Sequence, residues 1–310
     1  MPPIKVHLDT DIGGDIDDLC ALAMLLGWDG VEVVGVTTAA DDRGRRAGYA
    51  RRALSIAGRA DVPVAAGVDV STGCFRSEPT YPSERDYWQE PVPPLPGPAD
   101  RALSLLAANI AAGAIVAAIG PYTNLAALEV REPGILGGAQ LVLMGTTVVP
   151  PRQGYPAWGP ADDYNVQLDA NAAELVLACS DPLLVPLGPC LEAAVCRADL
   201  PALRTSGALA RLVARQVSAF DDQWRNADHW GVSSAGLPDD MVNFLYDPLA
   251  CAAAVGWTGV AVNPLRLSWG RDADGQLREW QDPAGKLFRV VTSVDGPEFR
   301  TVWLNAVRSV

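Results

Sequence analysis

The first half of the chain alternates unbroken apolar runs with segments in which apolar residues recur at three- and four-residue spacing. Buried strands are expected over residues 4–8, 31–37, 62–65, 114–119 and 140–144, and helices over 17–26, 43–57, 100–112 and from Thr123 onward. Gly58, just past the second helical run, is the expected stop. Strands without polar alternation, separated by helices, predict an α/β fold with a mostly parallel central sheet flanked by helices and a Rossmann-like core. Toward the C-terminus, LRLSWGRDADGQLREWQDPAGKLFRVV reads as a small region of two strands turning at DADG and DPAG, followed by a helix from Pro297. TNLAAL reads as a helix start, with Thr123 or Asn124 serving the backbone N–H groups.

In parallel sheets ligands collect outside the carboxyl ends of the strands, so the loops after Leu8, Thr38, Ile119 and Gly145 are where chemistry is expected. Residues 75–98 and 146–164 are long loops rich in proline and aromatics, the composition of lids or binding loops. No Gly/Ser linker or charge block divides residues 1–310, and a single domain is expected.

Composition narrows the function. At 49% hydrophobic and 20% charged over 310 residues, the chain has ample material for a core. Lys+Arg total 24 against Asp+Glu 37, a net charge of -13, which would repel a phosphate backbone or an anionic membrane surface; neither nucleic acid nor membrane is an expected partner. Only Lys5 and Lys286 are lysines, leaving little room for a catalytic lysine. The six cysteines form no C-x-x-C pair and several sit in apolar runs, as free thiols in a reducing compartment would. With no stretch resembling a signal peptide or a bilayer span, a cytoplasmic protein is expected.

The strongest chemical signal is HLDTDIGGDIDDLCAL, which places Asp9, Asp11, Asp15, Asp17 and Asp18 directly after a buried strand. Asp9 and Asp11 would share a face if the strand runs that far, Gly13 and Gly14 permit a tight turn, and Asp17 and Asp18 open the next helix, where its dipole favours anions. So many carboxylates stay ionised cheaply only around a cation. Hard oxygen donors select Ca²⁺ or Mg²⁺, and with only His7 and His229 available a histidine-rich metal site is excluded. An acidic turn with capping aspartates, or a D-x-D phosphatase with Asp9 as nucleophile and Asp11 as acid/base, would use the same residues.

Beyond this cluster the chain resembles the nucleoside hydrolases, the inosine-uridine preferring N-ribohydrolases. DTDIGGDIDDLCALAMLL resembles that family's N-terminal aspartate motif, VVGVTTAADD the second block, IGPYTNLAALEVREPGI the third, QLVLMGT the fourth, DDYNVQLDANAAELVL the ribose-binding block and YDPLACAAAV the C-terminal aspartate block. The resemblance implies that Asp11, Asp18, Asp247 and the main-chain carbonyl of Ile119 bind Ca²⁺, and that Asp17, Asp42, Asp163 and Asn165 hold the ribose. It implies hydrolysis of the N-glycosidic bond of a ribonucleoside to ribose and free base, with Asp11 taking the proton of a water that the ion acidifies. A ring of carboxylates would stabilise the oxocarbenium-like charge. The family commonly forms dimers or tetramers, so a homo-oligomer is expected.

Three departures bear on function. Many relatives carry a histidine just before the C-terminal aspartate, where Tyr246 stands here, and the family histidine of the 75–98 segment is missing. His229 could replace the missing acid, and Tyr246 or Trp158 could hydrogen-bond or stack on the base, as could Tyr87, Trp88 or Tyr155. In VPLGPCLEAAV, Gly188 and Cys190 stand where relatives carry an aspartate and a threonine. DDRGRRAGYARR is dense in arginine; either it is a solvated helix face, or one arginine reads a phosphate or carboxylate on the substrate, making a nucleotide or other 5′-substituted nucleoside the ligand. A nucleoside-binding relative that has lost catalysis is the non-enzymatic alternative.

Overall fold

The computed structural model describes residues 2–69 and 81–310; Cys74 and the start of the 75–98 loop lie outside the described residues. Nine strands form one sheet: β1 (Ile4–Thr10), β2 (Val31–Thr38), β3 (Val64–Ala66), β4 (Ile115–Ala118), β5 (Gln140–Met144), β6 (Leu183–Val185), β9 (Val260–Arg271), β10 (Leu277–Gln281) and β11 (Lys286–Val294). β7 (Ala194–Cys196) and β8 (Met241–Phe244) pair antiparallel in a separate ribbon. The order across the main sheet is β10-β9-β11-β6-β5-β4-β1-β2-β3. From β3 to β11 every neighbouring pair is parallel, and β9 and β10 complete the other edge antiparallel.

This topology fixes where a ligand can sit. β1 leads to β2 on one side, and the chain then returns to lay β4 on the other side of β1, so the loops after β1 and β4 diverge. Their divergence opens a crevice at the carboxyl ends of the strands. The loop after β1 carries the aspartate cluster and the loop after β4 carries Ile119 and Gly120. Gly120 must be small, because a Cβ there would lie 2.8 Å from the Asp11 carboxylate. Gly13 turns the β1 loop at φ +105°, and a side chain would meet the Tyr49 ring.

The helix Asp17–Gly27 is apolar on nearly every face and is buried from Asp17 to Leu25. It packs against the helices Tyr246–Ala254 and Gly296–Val307, where Trp303 is fully buried and its indole N–H donates to the Cys20 carbonyl at 3.3 Å. The first packing brings Asp247, in the first turn of its helix, beside Asp17 and Asp18.

Some element boundaries differ from those the sequence predicts. The expected helix over 43–57 is a short turn, Asp42–Gly44, then a helix Arg45–Ile56, because Arg43 and Gly44 adopt left-handed backbone. The C-terminal region holds three strands, not two, and they extend the central sheet. The long loops contain the short helical turns Glu84–Trp88 and Pro160–Asp162. Among the described residues Cys20, Cys179, Cys190, Cys196 and Cys251 are free, and no helix is long and apolar enough to cross a membrane.

Candidate active site

At the crevice lies a cavity of about 710 Å³. Its floor is acidic: Asp11, Asp15, Asp17, Asp18, Asp163 and Asp247 line it, with Ile119 and Asn165. Oxygens of Asp17, Asp18 and Asp247 lie within 4.8 Å of one another, and all three residues are buried. Burial, and then the charge of the neighbouring aspartates, pushes all three carboxyls well above the ordinary carboxylate range. Such a donor set, all oxygen and short of positive charge, fits a hard divalent cation. Asp18 is held from outside, accepting from Thr10 Oγ1 and, at 3.2 Å, from the Asp11 backbone N–H.

Asp11 lies just beyond the end of β1, beside this group, with Oδ2 3.6 Å from an Arg46 guanidinium nitrogen. Arg46 is 1% exposed, and its Nε donates to the Ala40 carbonyl at 2.9 Å. The arginine-rich helix is therefore not uniformly a solvated face. Arg46 shares a helical stripe with buried Ala50 and Ala53, and that periodicity was a sequence signal for its burial.

Asp9 does not share the cavity with Asp11. It is fully buried beneath the floor, where Oδ1 accepts from Thr37 Oγ1 at 2.5 Å and from Asn124 Nδ2 at 2.8 Å. A D-x-D phosphatase would need Asp9 at the ligand, so this position removes that alternative. Asn124, expected to cap its helix, instead ties the floor together: Nδ2 also donates to the Thr38 carbonyl, and Oδ1 accepts from Val68 N. Behind Asp9 the chain continues to a buried imidazole. Thr37 gives its proton to Asp9 and so accepts from His7 Nε2 at 2.9 Å, while Asn109 Nδ2 donates to His7 Nδ1 at 2.8 Å.

These contacts define a neutral His7, and burial lowers its pKa from 6.5 to about 3. The unfolded chain therefore takes up a proton below pH 6.5 that the folded protein refuses. This part of the stability is complete above pH 6.5 and is lost as the pH falls toward 3. Asp9, raised by burial to about 6, works in the opposite direction, gaining stability as the pH falls from 6 toward its ordinary value. Comparing wild type with His7→Gln, which keeps a donor toward Thr37, isolates the imidazole. Between pH 8 and pH 5 the variant should lose about 2 kcal/mol less unfolding free energy than wild type in urea titrations; parallel profiles would contradict this account.

The segment 163–165 is anchored at both ends. Asp163 caps the short helix Tyr164–Leu168, accepting from Val166 N at 3.1 Å and from Thr146 N at 2.5 Å, and burial raises its pKa to about 6. Asn165 Nδ2 donates to the Ile119 carbonyl at 2.8 Å, which aims the carbonyl that the family resemblance assigns to the ion. The opposite wall is aromatic. Trp158 packs against Tyr246, Phe244 and Trp230 at centroid distances of 6.1, 5.2 and 5.7 Å, and all four line the cavity.

Two expected residues fall outside. Asp42 is solvent-exposed, 3.8 Å from Arg43, and does not line the cavity. The buried carboxylate of that loop is Asp41, whose oxygens hold Thr38 Oγ1 and the backbone N–H groups of Arg46 and Ala47. His229 sits exposed on the turn Ala227–Gly231, whose neighbours Asn226 and Trp230 reach the cavity instead. Among the proposed stacking residues Trp88 is buried against Tyr49, at a centroid distance of 4.8 Å, and Tyr155 is not part of the lining, whereas Tyr87 and Trp158 are. Tyr81, Tyr164, Phe220, Gln223 and Asn243 also line the cavity and carried no local motif.

An α/β sheet with an acidic pocket at its switch point, walled on one side by aromatics, defines a class of proteins that bind a small ligand beside a cluster of oxygen donors fit for a cation. The family profile of the inosine-uridine preferring nucleoside hydrolases matches residues 6–301, and the chain belongs to that family of N-ribosyl hydrolases. It is 28% identical over 267 residues, 82% of this chain and 83% of the relative, to the pyrimidine-specific ribonucleoside hydrolase RihA of Shewanella woodyi. Its fold is similar to that of a plant nucleoside hydrolase, PpNRh1, with TM-score 0.77, 22% identity and 99% of both chains covered. It is also similar to the fold of a purine-preferring ribonucleoside hydrolase from Gardnerella vaginalis, with TM-score 0.74, 20% identity and 98% of both chains covered.

Proposed function

We propose that this protein is a Ca²⁺-dependent ribonucleoside hydrolase in which Asp11, Asp17, Asp18, Asp247 and the Ile119 carbonyl surround the ion. The observation that carries the reading is the convergence of three buried carboxylates from two distant segments on one point of the cavity floor. Ca²⁺ matches the many oxygen donors and their loose spacing, and Mg²⁺ is the alternative. A bound divalent ion supplies positive charge that both neutralises the cluster and acidifies a water. In this reading Asp17, whose carboxylate lies within 4.8 Å of those of Asp18 and Asp247, joins the ion's donors in addition to the ribose role that the resemblance implies.

In this mechanism Asp11 accepts the proton of the attacking water. Arg46 beside it favours the ionised form that a base requires, against the burial that raises its pKa. Asp163 and Asn165 orient the sugar, and the surrounding carboxylates stabilise the positive charge developing on it as the bond to the base stretches. Water attacks the anomeric carbon, the C–N bond breaks, and the base leaves with its electron pair.

The departing base needs a proton, and no histidine lines the cavity among the described residues. Tyr246 is the candidate. Its buried phenol stays protonated at neutral pH, and Trp158 packs beside it on the aromatic wall against which a planar base would lie. Tyr246→Phe should lower kcat on uridine by about a hundredfold and leave p-nitrophenyl riboside, whose leaving group needs no proton, nearly unaffected. An equal fall on both substrates would remove Tyr246 from the acid's role. The lack of a cavity histidine also supports a second reading, a nucleoside-binding relative without turnover, which predicts ligand binding but no ribose release.

A single domain over residues 1–310, a cytoplasmic location and a homo-oligomeric state belong to the same reading. Val262, Trp280 and Leu287, exposed on the C-terminal strands β9, β10 and β11, are apolar surface that an assembly would cover.

A further inference from the structure

We propose that the groove beside the active-site cavity is a phosphate subsite, so that the substrate is a ribonucleoside carrying a phosphate or diphosphate group. The proposal rests on the hydrolase reading above and deepens it.

The groove has a volume of about 880 Å³ and shares Tyr81, Pro82, Tyr87 and Gln223 with the cavity lining. A hydrogen bond from the Tyr87 hydroxyl to Gln223 Oε1 (3.1 Å) spans the boundary, so a ligand extending past that pair moves directly from one compartment to the other. Arg204, Arg211 and Arg215 line the groove. Along the helix Ala208–Trp224, Arg211, Arg215, Ser218 and Asp222 recur at steps of four, three and four and share one face. Phe220, Gln223 and Trp224 of the same helix reach the catalytic cavity. One helix therefore builds both compartments.

These arginines differ from two that stand nearby: Arg197 pairs with Asp221 and Arg225 with Asp228, both at 2.6 Å. Among the described residues, Arg204, Arg211 and Arg215 have no acidic partner. They donate instead to Ser218 Oγ at 2.9 Å, the Ser206 carbonyl at 2.6 Å and the Arg85 carbonyl at 2.7 Å, respectively. The Arg215 Nε is buried with no partner at all. Asp86 and Asp222 also line the groove and form no ion pair there, so three guanidinium groups face two carboxylates, leaving an excess of positive charge beside an acidic cavity. An uncharged nucleoside uses none of this, whereas phosphate oxygens satisfy forked guanidinium donors. Gln223 and Arg215 stand eight residues, about 12 Å, apart along the helix axis, a span that two linked phosphates match better than one.

The test compares kcat/KM for uridine, uridine 5′-monophosphate and uridine 5′-diphosphate in wild type, in Arg211→Gln/Arg215→Gln and in Asp222→Asn, which removes a competing carboxylate. Wild type should prefer the phosphorylated substrates by about tenfold or more. The double variant should lose that preference while its uridine rate, set in a cavity neither arginine lines, changes less than twofold; Asp222→Asn should widen the preference. Uridine turnover without any preference for the phosphorylated forms overturns the subsite and leaves the hydrolase reading intact. Inhibition by inorganic phosphate that depends on the arginines, without preference for phosphorylated substrates, makes the groove a free-anion site and overturns the proposal equally. If no compound releases ribose or ribose phosphate, the hydrolase reading fails, and calorimetry with uridine 5′-diphosphate decides the subsite: at least tenfold weaker binding to the double variant upholds it, and equal binding overturns it.

Discussion

Asp18→Asn should lower kcat for ribonucleoside hydrolysis on the order of a thousandfold, about 4 kcal/mol of transition-state stabilisation. The substitution keeps the size of the side chain and an oxygen for Thr10, but removes one of the three charges that converge on the floor. Its effect on the metal-free protein should be the reverse. Burial and the neighbouring aspartates make the Asp18 charge costly, so losing it relieves repulsion and raises the melting temperature without metal. The stabilisation that saturating Ca²⁺ gives wild type should fall sharply at the same time. Calorimetric melting with and without Ca²⁺, alongside initial rates, checks all three outcomes. A variant that melts lower without metal yet retains most of its activity would place the ion elsewhere.

The second large effect concerns Arg46, the one cation in direct reach of the floor among the described residues. Arg46→Met fills similar space but leaves the Ala40 and Ile12 carbonyls without their donor and Asp11 without its counter-charge. A loss of about 3 kcal/mol is expected, because breaking a buried pair strands the partner. Arg46→Lys should recover only part of it, since one ammonium cannot serve the forked set of acceptors. Urea unfolding of the three proteins without metal measures this directly. A methionine variant as stable as wild type would mean that Arg46 contributes nothing to holding the loop after β1.

Much of this arrangement could be read from sequence because it follows short-range rules. The parallel sheet announces itself in unbroken apolar runs, and Asp17 and Asp18 are legible because an apolar helix begins at them. Asp247 needed the resemblance, since nothing in YDPLACAAAV alone says that its helix packs against the first. The failures lie where backbone conformation departs from periodic structure. Between β2 and the next helix, Ala40, Arg43 and Gly44 all take positive φ, and that path turns Asp41 inward and Asp42 to solvent. No hydropathy pattern distinguishes two adjacent aspartates in such a turn. His229 fails for a related reason, because a single irregular turn presents Asn226 and Trp230 to the cavity and not the residue between them. Asp9, an apparent twin of Asp11, is separated from it by the end of β1 at Thr10: one stays beneath the sheet's edge as a buried acceptor and the other emerges into the cavity.

The central claim is that this acidic floor holds a divalent cation for cleavage of an N-glycosidic bond. Its most direct test is release of reducing sugar from a panel of ribonucleosides and their 5′-phosphates by purified protein, first stripped with EDTA and then supplied with Ca²⁺ or Mg²⁺. Sugar release that is abolished by stripping and restored by Ca²⁺ is the predicted result. Undiminished release by the stripped enzyme, or none from any compound with Ca²⁺ bound, would contradict it.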